Sequence, residues 1–276
     1  MSGDEVFVLV VSLIAIVFGM ALTSSAWLPE LLLRRAAAGI GQARLATLLA
    51  MGWILFVLLR YADPSVRGIY VWFYLAIGVA MVKAIGPAGA MLFGVRFRVD
   101  VCERGNPAAA RFHAGLVLAT GMIYGACLWG EADPTGDDEG GWWIPLGFFA
   151  AGWLTLLVML GVFFWREPGP TRGRIRRDRN LPAATAGCTY ALASAWVLAG
   201  AVAGDFYGWR HGLLAVGGIA VMLGVRELFA FGQDRLTVLA GGSLHSRTWE
   251  SLTYLASGVV FWLANRTLEN WLADLT

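Results

Sequence analysis

Eight apolar runs of roughly twenty residues divide this chain, at approximately 6–27, 45–61, 69–95, 108–129, 142–165, 182–203, 212–232 and 251–271. About twenty helical residues cross a hydrocarbon core of about 30 Å. Backbone amides inside lipid must be satisfied within their own segment. These runs lack the alternation of barrel strands, so the spans read as helices. Hydrophobic residues make up 58% of the chain and charged residues 14%, a balance that a soluble domain of this size does not keep. The expected fold is all-α, a polytopic transmembrane helix bundle of about eight spans forming one integral membrane domain over 1–276. Its spans pair as four two-helix hairpins, 1–62, 68–130, 142–205 and 211–276.

The arginines orient the bundle. Connections after odd-numbered spans carry Arg34, Arg35 and Arg44, then Arg96, Arg98, Arg104 and Arg111, then Arg166, Arg172, Arg174, Arg176, Arg177 and Arg179, and finally Arg235 and Arg247. Basic loops stay in the cytoplasm, which places both termini outside it. The opposite loops are poor in arginine, and one holds Glu131, Asp133, Asp137, Asp138 and Glu139, read as a solvated outer turn. The start Met1-Ser2-Gly3-Asp4-Glu5 lacks the basic region of a cleavable signal, so the first span is expected to stay in the mature protein.

One residue breaks the pattern. Lys83, the single lysine, stands inside the third run with no other ionisable side chain between Tyr70 and Val95. A charge at mid-bilayer costs about 2.5–3.5 kcal/mol on insertion scales, so it has a partner, a wet cavity or a function. Three residues later Gly86-Pro87 interrupts the helix, and broken helices line the binding sites of many transporters. Lys83, Gly86 and Pro87 are therefore candidates for a pore or substrate path. Glu227, beside Arg226 in the seventh run, is the candidate counter-charge. A structural ion pair, or a lysine snorkelling toward the cytoplasm, explains Lys83 equally well.

The two middle hairpins share a helix-start pattern. Arg104-Gly105-Asn106-Pro107-Ala108-Ala109-Ala110 opens the fourth run and Arg179-Asn180-Leu181-Pro182-Ala183-Ala184 the sixth. Asparagine caps helices well, and a proline in the first turn costs no helical hydrogen bond. Gly121-x-x-x-Gly125 and Gly200-x-x-x-Gly204 follow, small-residue pairs that suit close helix packing within the bundle or between copies in a homo-oligomer. With its arginine-bearing linker, Asn106 with Ala108 and Ala109, and the second copy Asn180 with Ala183 and Ala184, the stretch from about 69 to 204 resembles the bacterial inner-membrane family called domain of unknown function 350. The resemblance implies an inner-membrane location and spans in repeated units. It implies no settled activity.

No cofactor or metal site is expected. His113, His211, His245 and Cys102 match no local zinc spacing, and no nucleophile elbow, Walker loop or HExxH motif points to an enzyme. Cys127 and Cys188 fall in spans, so the cysteines suggest no disulfide framework. Nucleic acid is not an expected partner; the lipid bilayer is. Two functions remain: a channel or transporter for an ion or small molecule, and a scaffold that docks a soluble cytoplasmic partner, or anionic lipid, through Arg172, Arg174, Arg176, Arg177 and Arg179.

Overall fold

A computed structural model describes residues 3–23, 38–63, 66–130, 142–166, 172–203, 209–231 and 244–273. Eight long helices account for nearly all of them: α1 (Gly3–Thr23), α2 (Ala38–Arg60), α3 (Ile69–Leu92), α4 (Pro107–Cys127), α5 (Trp143–Arg166), α6 (Leu181–Val202), α7 (Trp209–Phe231) and α8 (Leu244–Ala273). No strand occurs among the described residues. The acidic segment 131–139 lies outside them.

Five of these helices, α1, α2, α3, α5 and α6, are long and apolar enough to cross a membrane, and α7 carries a shorter apolar stretch, Gly212–Val225. Side chains such as Phe7, Ile14 and Val17 on α1, Leu45, Leu48 and Leu59 on α2, and Leu154 and Val158 on α5 are exposed, as lipid-facing surfaces require. The chain has the build of an integral membrane protein. Helix α4 differs, being built from alanine and glycine and carrying Arg111 and His113. It is buried along most of its length, between α2 and α6 and under α3 and α5. A helix surrounded by protein needs no lipid-compatible surface, which accounts for its weaker apolar signal.

The even-numbered helices pack in a row, α2 on α4, α4 on α6, and α6 on α8. The odd-numbered helices make a second row. In it α1 packs on α3, Gly89 of α3 faces Trp153 of α5, and α7 packs on α5, α6 and α8. Small residues set the spacing. A Cβ on Gly121 would collide with Ala50, one on Gly125 with the Trp53 ring, and one on Gly115 would lie 3.1 Å from the Cys188 Cα. The Gly121/Gly125 pair is thus used inside the bundle, between α4 and α2. Gly200 faces Trp262 of α8 in the same way; Gly204 lies outside the described residues.

The two asparagine starts share their local geometry. The Asn106 side chain accepts from the N–H groups of Ala108 (2.9 Å) and Ala109 (3.2 Å), and that of Asn180 accepts from Ala183 (3.0 Å). The residue before each is left-handed, Gly105 at φ 59° and Arg179 at φ 49°. Five residues before each asparagine a buried aliphatic side chain, Val101 or Ile175, points inward. The extra residue in the second copy only moves proline from the first to the second helical position. Ala109 and Ala183 are then equivalent. Replacing Asn180 with alanine removes one cap and should lower unfolding stability by about 1 kcal/mol. Asn106→Ala should cost about twice that or more, because its amide also satisfies buried carbonyls elsewhere. Denaturant titration of the two variants in detergent provides the comparison.

Candidate functional site

Helix α3 is continuous in direction but not in winding. Between Ile69–Ala80 and Gly86–Leu92, the segment Met81–Ile85 forms a π-turn, in which the N–H of Gly86 donates to the Met81 carbonyl five residues back. Pro87, in the first turn of the following segment, has no N–H to give the Lys83 carbonyl, its partner in a regular α-helix. The wide turn is where the helix absorbs this missing bond. Two glycines close on it. A Cβ at Gly19 of α1 would stand 2.6 Å from the Lys83 carbonyl oxygen, and one at Gly86 would stand 3.1 Å from the Cα of Val117 and 3.5 Å from Thr120 Oγ1 of α4. Thr120 donates to the Leu116 carbonyl (2.7 Å) and accepts from Trp153 Nε1 (3.3 Å). Gly86 and Pro87 are buried here as packing residues, while the Lys83 side chain is half-buried.

Register gives the depth of Lys83. Gly78 faces Tyr124 and Gly86 faces Val117, so α3 runs antiparallel to α4 and Lys83 stands near residue 120 of α4. Gly39 faces Ala110 and Gly121 faces Ala50, so α2 runs parallel to α4 and Arg44 stands near residue 115. His113 is two residues away from that level. At about 1.5 Å of rise per residue, the three residues fall within about 10 Å of one another along the bundle axis. The Lys83 ammonium is in electrostatic range of both Arg44 and His113. His113 is 3% exposed, its ring lies 4.6 Å from that of Phe97, and its Nδ1 has no hydrogen-bond partner among the described residues.

A second polar centre stands at the ends of the hairpins. After α3 the chain forms a π-turn at Phe97–Glu103, and after α5 another at Arg172–Arg177. Asp100 of the first is fully buried. It accepts from the Arg96 N–H (2.9 Å), from Arg104 Nη1 (3.2 Å) and, across the two linkers, from Arg176 Nε (2.9 Å). The Asn106 amide donates to the carbonyls of Ile175 (2.7 Å) and Arg176 (3.2 Å), and Arg179 donates to the Arg104 carbonyl (3.1 Å). Arg111 completes the seam by donating to Thr185 Oγ1 (3.0 Å). Asp100 and Asn106 therefore lock one hairpin to the next.

The residues singled out in the sequence divide accordingly. Lys83, Gly86 and Pro87 lie together at the α1–α3–α4 contact. Glu227 belongs to α7, and its side chain lies outside the described residues; α7 packs against α5, α6 and α8, whereas α3 packs mainly against α1, α2 and α4 and meets α5 at Gly89. Arg44 was expected in a linker and instead lies on α2, two turns from its start, because one arginine after an alanine-glycine stretch does not end a helix. Of the docking arginines, Arg176 and Arg179 are taken up in the seam, Arg177 is exposed, and the side chains of Arg172 and Arg174 lie outside the described residues. Asp100 carries the seam, and its sequence signal is a lone acid between Phe97 and Val101 amid Arg96, Arg98 and Arg104.

Comparisons with models of protein families, with curated proteins and with solved structures return no match.

Two arginines share one buried carboxylate here, so their contributions should not add. Arg176→Ala should destabilise more than Arg104→Ala, since Arg176 is the less exposed side chain and makes the shorter contact, 2.9 against 3.2 Å. The double variant should cost more than the sum of the two, on the order of 3 kcal/mol in total, because it leaves Asp100 buried without a charged partner. Thermal unfolding of the three variants reads this coupling. At the other centre, Gly19→Val should separate α1 from α3 and lower Tm by several degrees, as expected for overpacking worth about 1–3 kcal/mol, whereas Gly41→Val, with nothing within 4 Å of its Cβ position, should leave Tm nearly unchanged.

Proposed function

We propose that the chain is a channel or transporter of the bacterial inner membrane in which all eight helices cross the bilayer, the arginine linkers face the cytoplasm and both termini lie outside. The single observation that carries this reading is the placement of Lys83, half-buried, on the π-wound break of α3 where that helix packs against α1 and α4. A lysine half-buried in the middle of an apolar helix is costly to place. Irregular backbone at membrane depth is found where it is enclosed by protein or lines a path. The resemblance to the family called domain of unknown function 350 supports the membrane and the hairpin organisation, and adds no substrate.

The scaffold reading has less to work with. Arg176 and Arg179 hold neighbouring linkers together, so docking would fall to the remaining arginines of that segment, among which Arg177 is exposed.

Purified protein in liposomes should move an ion or small solute above the rate of empty vesicles. Lys83→Ala should reduce that flux at least tenfold while the folded fraction, judged by size-exclusion profile, stays the same. Flux at background in the parent protein, or flux unchanged in Lys83→Ala, would overturn the proposal.

A further inference from the structure

We propose that Arg104 and Arg176, set side by side by Asp100 where two hairpins meet, hold the phosphate of an anionic phospholipid in the leaflet beside the linkers. Such a site needs the bilayer and does not depend on transport. Bond lengths fix the convergence of the two arginines. Arg104 Nη1 and Arg176 Nε donate to one and the same oxygen, Asp100 Oδ1, at 3.2 and 2.9 Å, so the two nitrogens are no farther apart than those distances laid end to end. Arg179 joins them by donating from Nη2 to the Arg104 carbonyl (3.1 Å). One carboxylate thus answers three arginines, which leaves two positive charges in excess. Of the other acids in these linkers, Glu103 is paired with Arg98 (3.3 Å) and Asp178 is exposed beside Arg177. Donors remain for a ligand as well. A guanidinium carries five N–H groups; Arg176 commits Nε to the acid and keeps both Nη groups, while Arg104 commits Nη1 and keeps Nε and Nη2. Their side chains are 32% and 48% exposed above a carboxylate that is fully buried. Asp100 therefore holds both planar forks from beneath and leaves them open outward, the arrangement that suits a phosphate accepting from two guanidinium groups.

Depth selects a lipid as the source of that phosphate. The Asn106 N–H donates to the Asp100 carbonyl (3.0 Å), and the Asn106 amide donates to the Arg176 carbonyl (3.2 Å), so the cluster stands at the start of α4. Six residues into that helix, the Phe112 ring meets Phe93 at the end of α3 (5.9 Å) and Phe164 near the end of α5 (5.3 Å). Leu92 and Trp165, adjacent to these in sequence, are exposed, so the apolar surface of α3 and α5 reaches this level. Six helical residues rise about 9 Å, which puts the arginines about one headgroup layer beyond the apolar surface. Trp165 marks the boundary as interfacial tryptophans do. A zwitterionic headgroup would bring its own cation to a site already in positive excess, which favours an anionic lipid.

The test is thermal unfolding of the full-length protein in dodecylmaltoside micelles at constant ionic strength, with added dioleoylphosphatidylglycerol or the same amount of dioleoylphosphatidylcholine. Constant ionic strength keeps general screening equal. At a hundredfold excess over Kd, phosphatidylglycerol should raise Tm about 5 °C above its value in phosphatidylcholine. Arg104→Gln and Arg176→Gln, each compared with its own Tm in phosphatidylcholine, should lose most of that rise. Comparison within each variant separates lipid binding from the contribution of the seam to stability. Arg60→Gln, the same loss of charge at the opposite end of α2, should keep the rise. If a glutamine variant does not fold, Arg104→Lys and Arg176→Lys keep the charge and a donor for Asp100 but lose the planar fork, and should cut the rise by half or more. Equal Tm in the two lipids overturns the inference, as does a rise retained in full in either arginine variant. A rise of the same size from inorganic phosphate in phosphatidylcholine micelles overturns the lipid as the source.

Discussion

Helices in lipid gain nothing from the hydrophobic effect when they meet, so they associate through close packing and a few polar bonds. Glycine provides the closeness. Gly39, Gly115, Gly121 and Gly125 bring α4 against α2 and α6 at distances where side chains would collide, and Gly258 of α8 lies close to Ala193 of α6, where a Cβ would stand 3.3 Å from its backbone oxygen. Such contact lets large side chains be buried around it, among them Tyr124, Phe112 and Ile123 on α4. Tyr124 and Trp53 also use their polar ends, donating to the carbonyls of Tyr74 (3.0 Å) and Met122 (3.2 Å). The position of every group near Lys83 follows from this spacing, since the register of α2 and α3 on α4 is fixed at the glycines.

The seam between linkers adds a different constraint. Backbone carbonyls of the Arg172–Arg177 turn are satisfied by a side chain 69 and 70 residues earlier, Asn106, and that same asparagine caps α4. Its cap and its cross-link are one geometry, so the start of α4 and the approach to α6 cannot move independently. Asp100 reinforces this with two arginines from different hairpins.

Much of the architecture could be read from residue order because its causes are local. The long helices lie where the apolar runs do, and five of them are long and apolar enough to cross a membrane. Asn106 and Asn180 cap as their types suggest, because a cap involves only the next three residues. Partner choice was not readable in this way. Asp100 and Arg176 stand 76 residues apart, and a loop rich in arginine looks the same whether its side chains face water or a buried acid. Arg44 lies within a helix although hydropathy alone marks an arginine as an end, because a long exposed side chain keeps its charge at the surface while the helix continues beneath it. Glu227 is the acid inside the seventh run, and whether such an acid pairs with Lys83 depends on which helices are neighbours, which residue order does not give.

The π-turn in α3 also acts as a spacer. Gly78 and Gly86 both face α4, yet eight residues of regular α-helix would rotate the second by about 80° away from the first. Absorbing one residue in a wide turn brings that rotation back to about 20°, so both glycines meet the same neighbour. The segment bearing Lys83 therefore behaves as a one-residue insertion that sets the phase of everything after it. Deleting any residue of Met81–Ile85 would leave the length of the crossing almost unchanged and turn the last third of α3, with Gly86, Pro87 and Gly89, to face a different part of its surroundings.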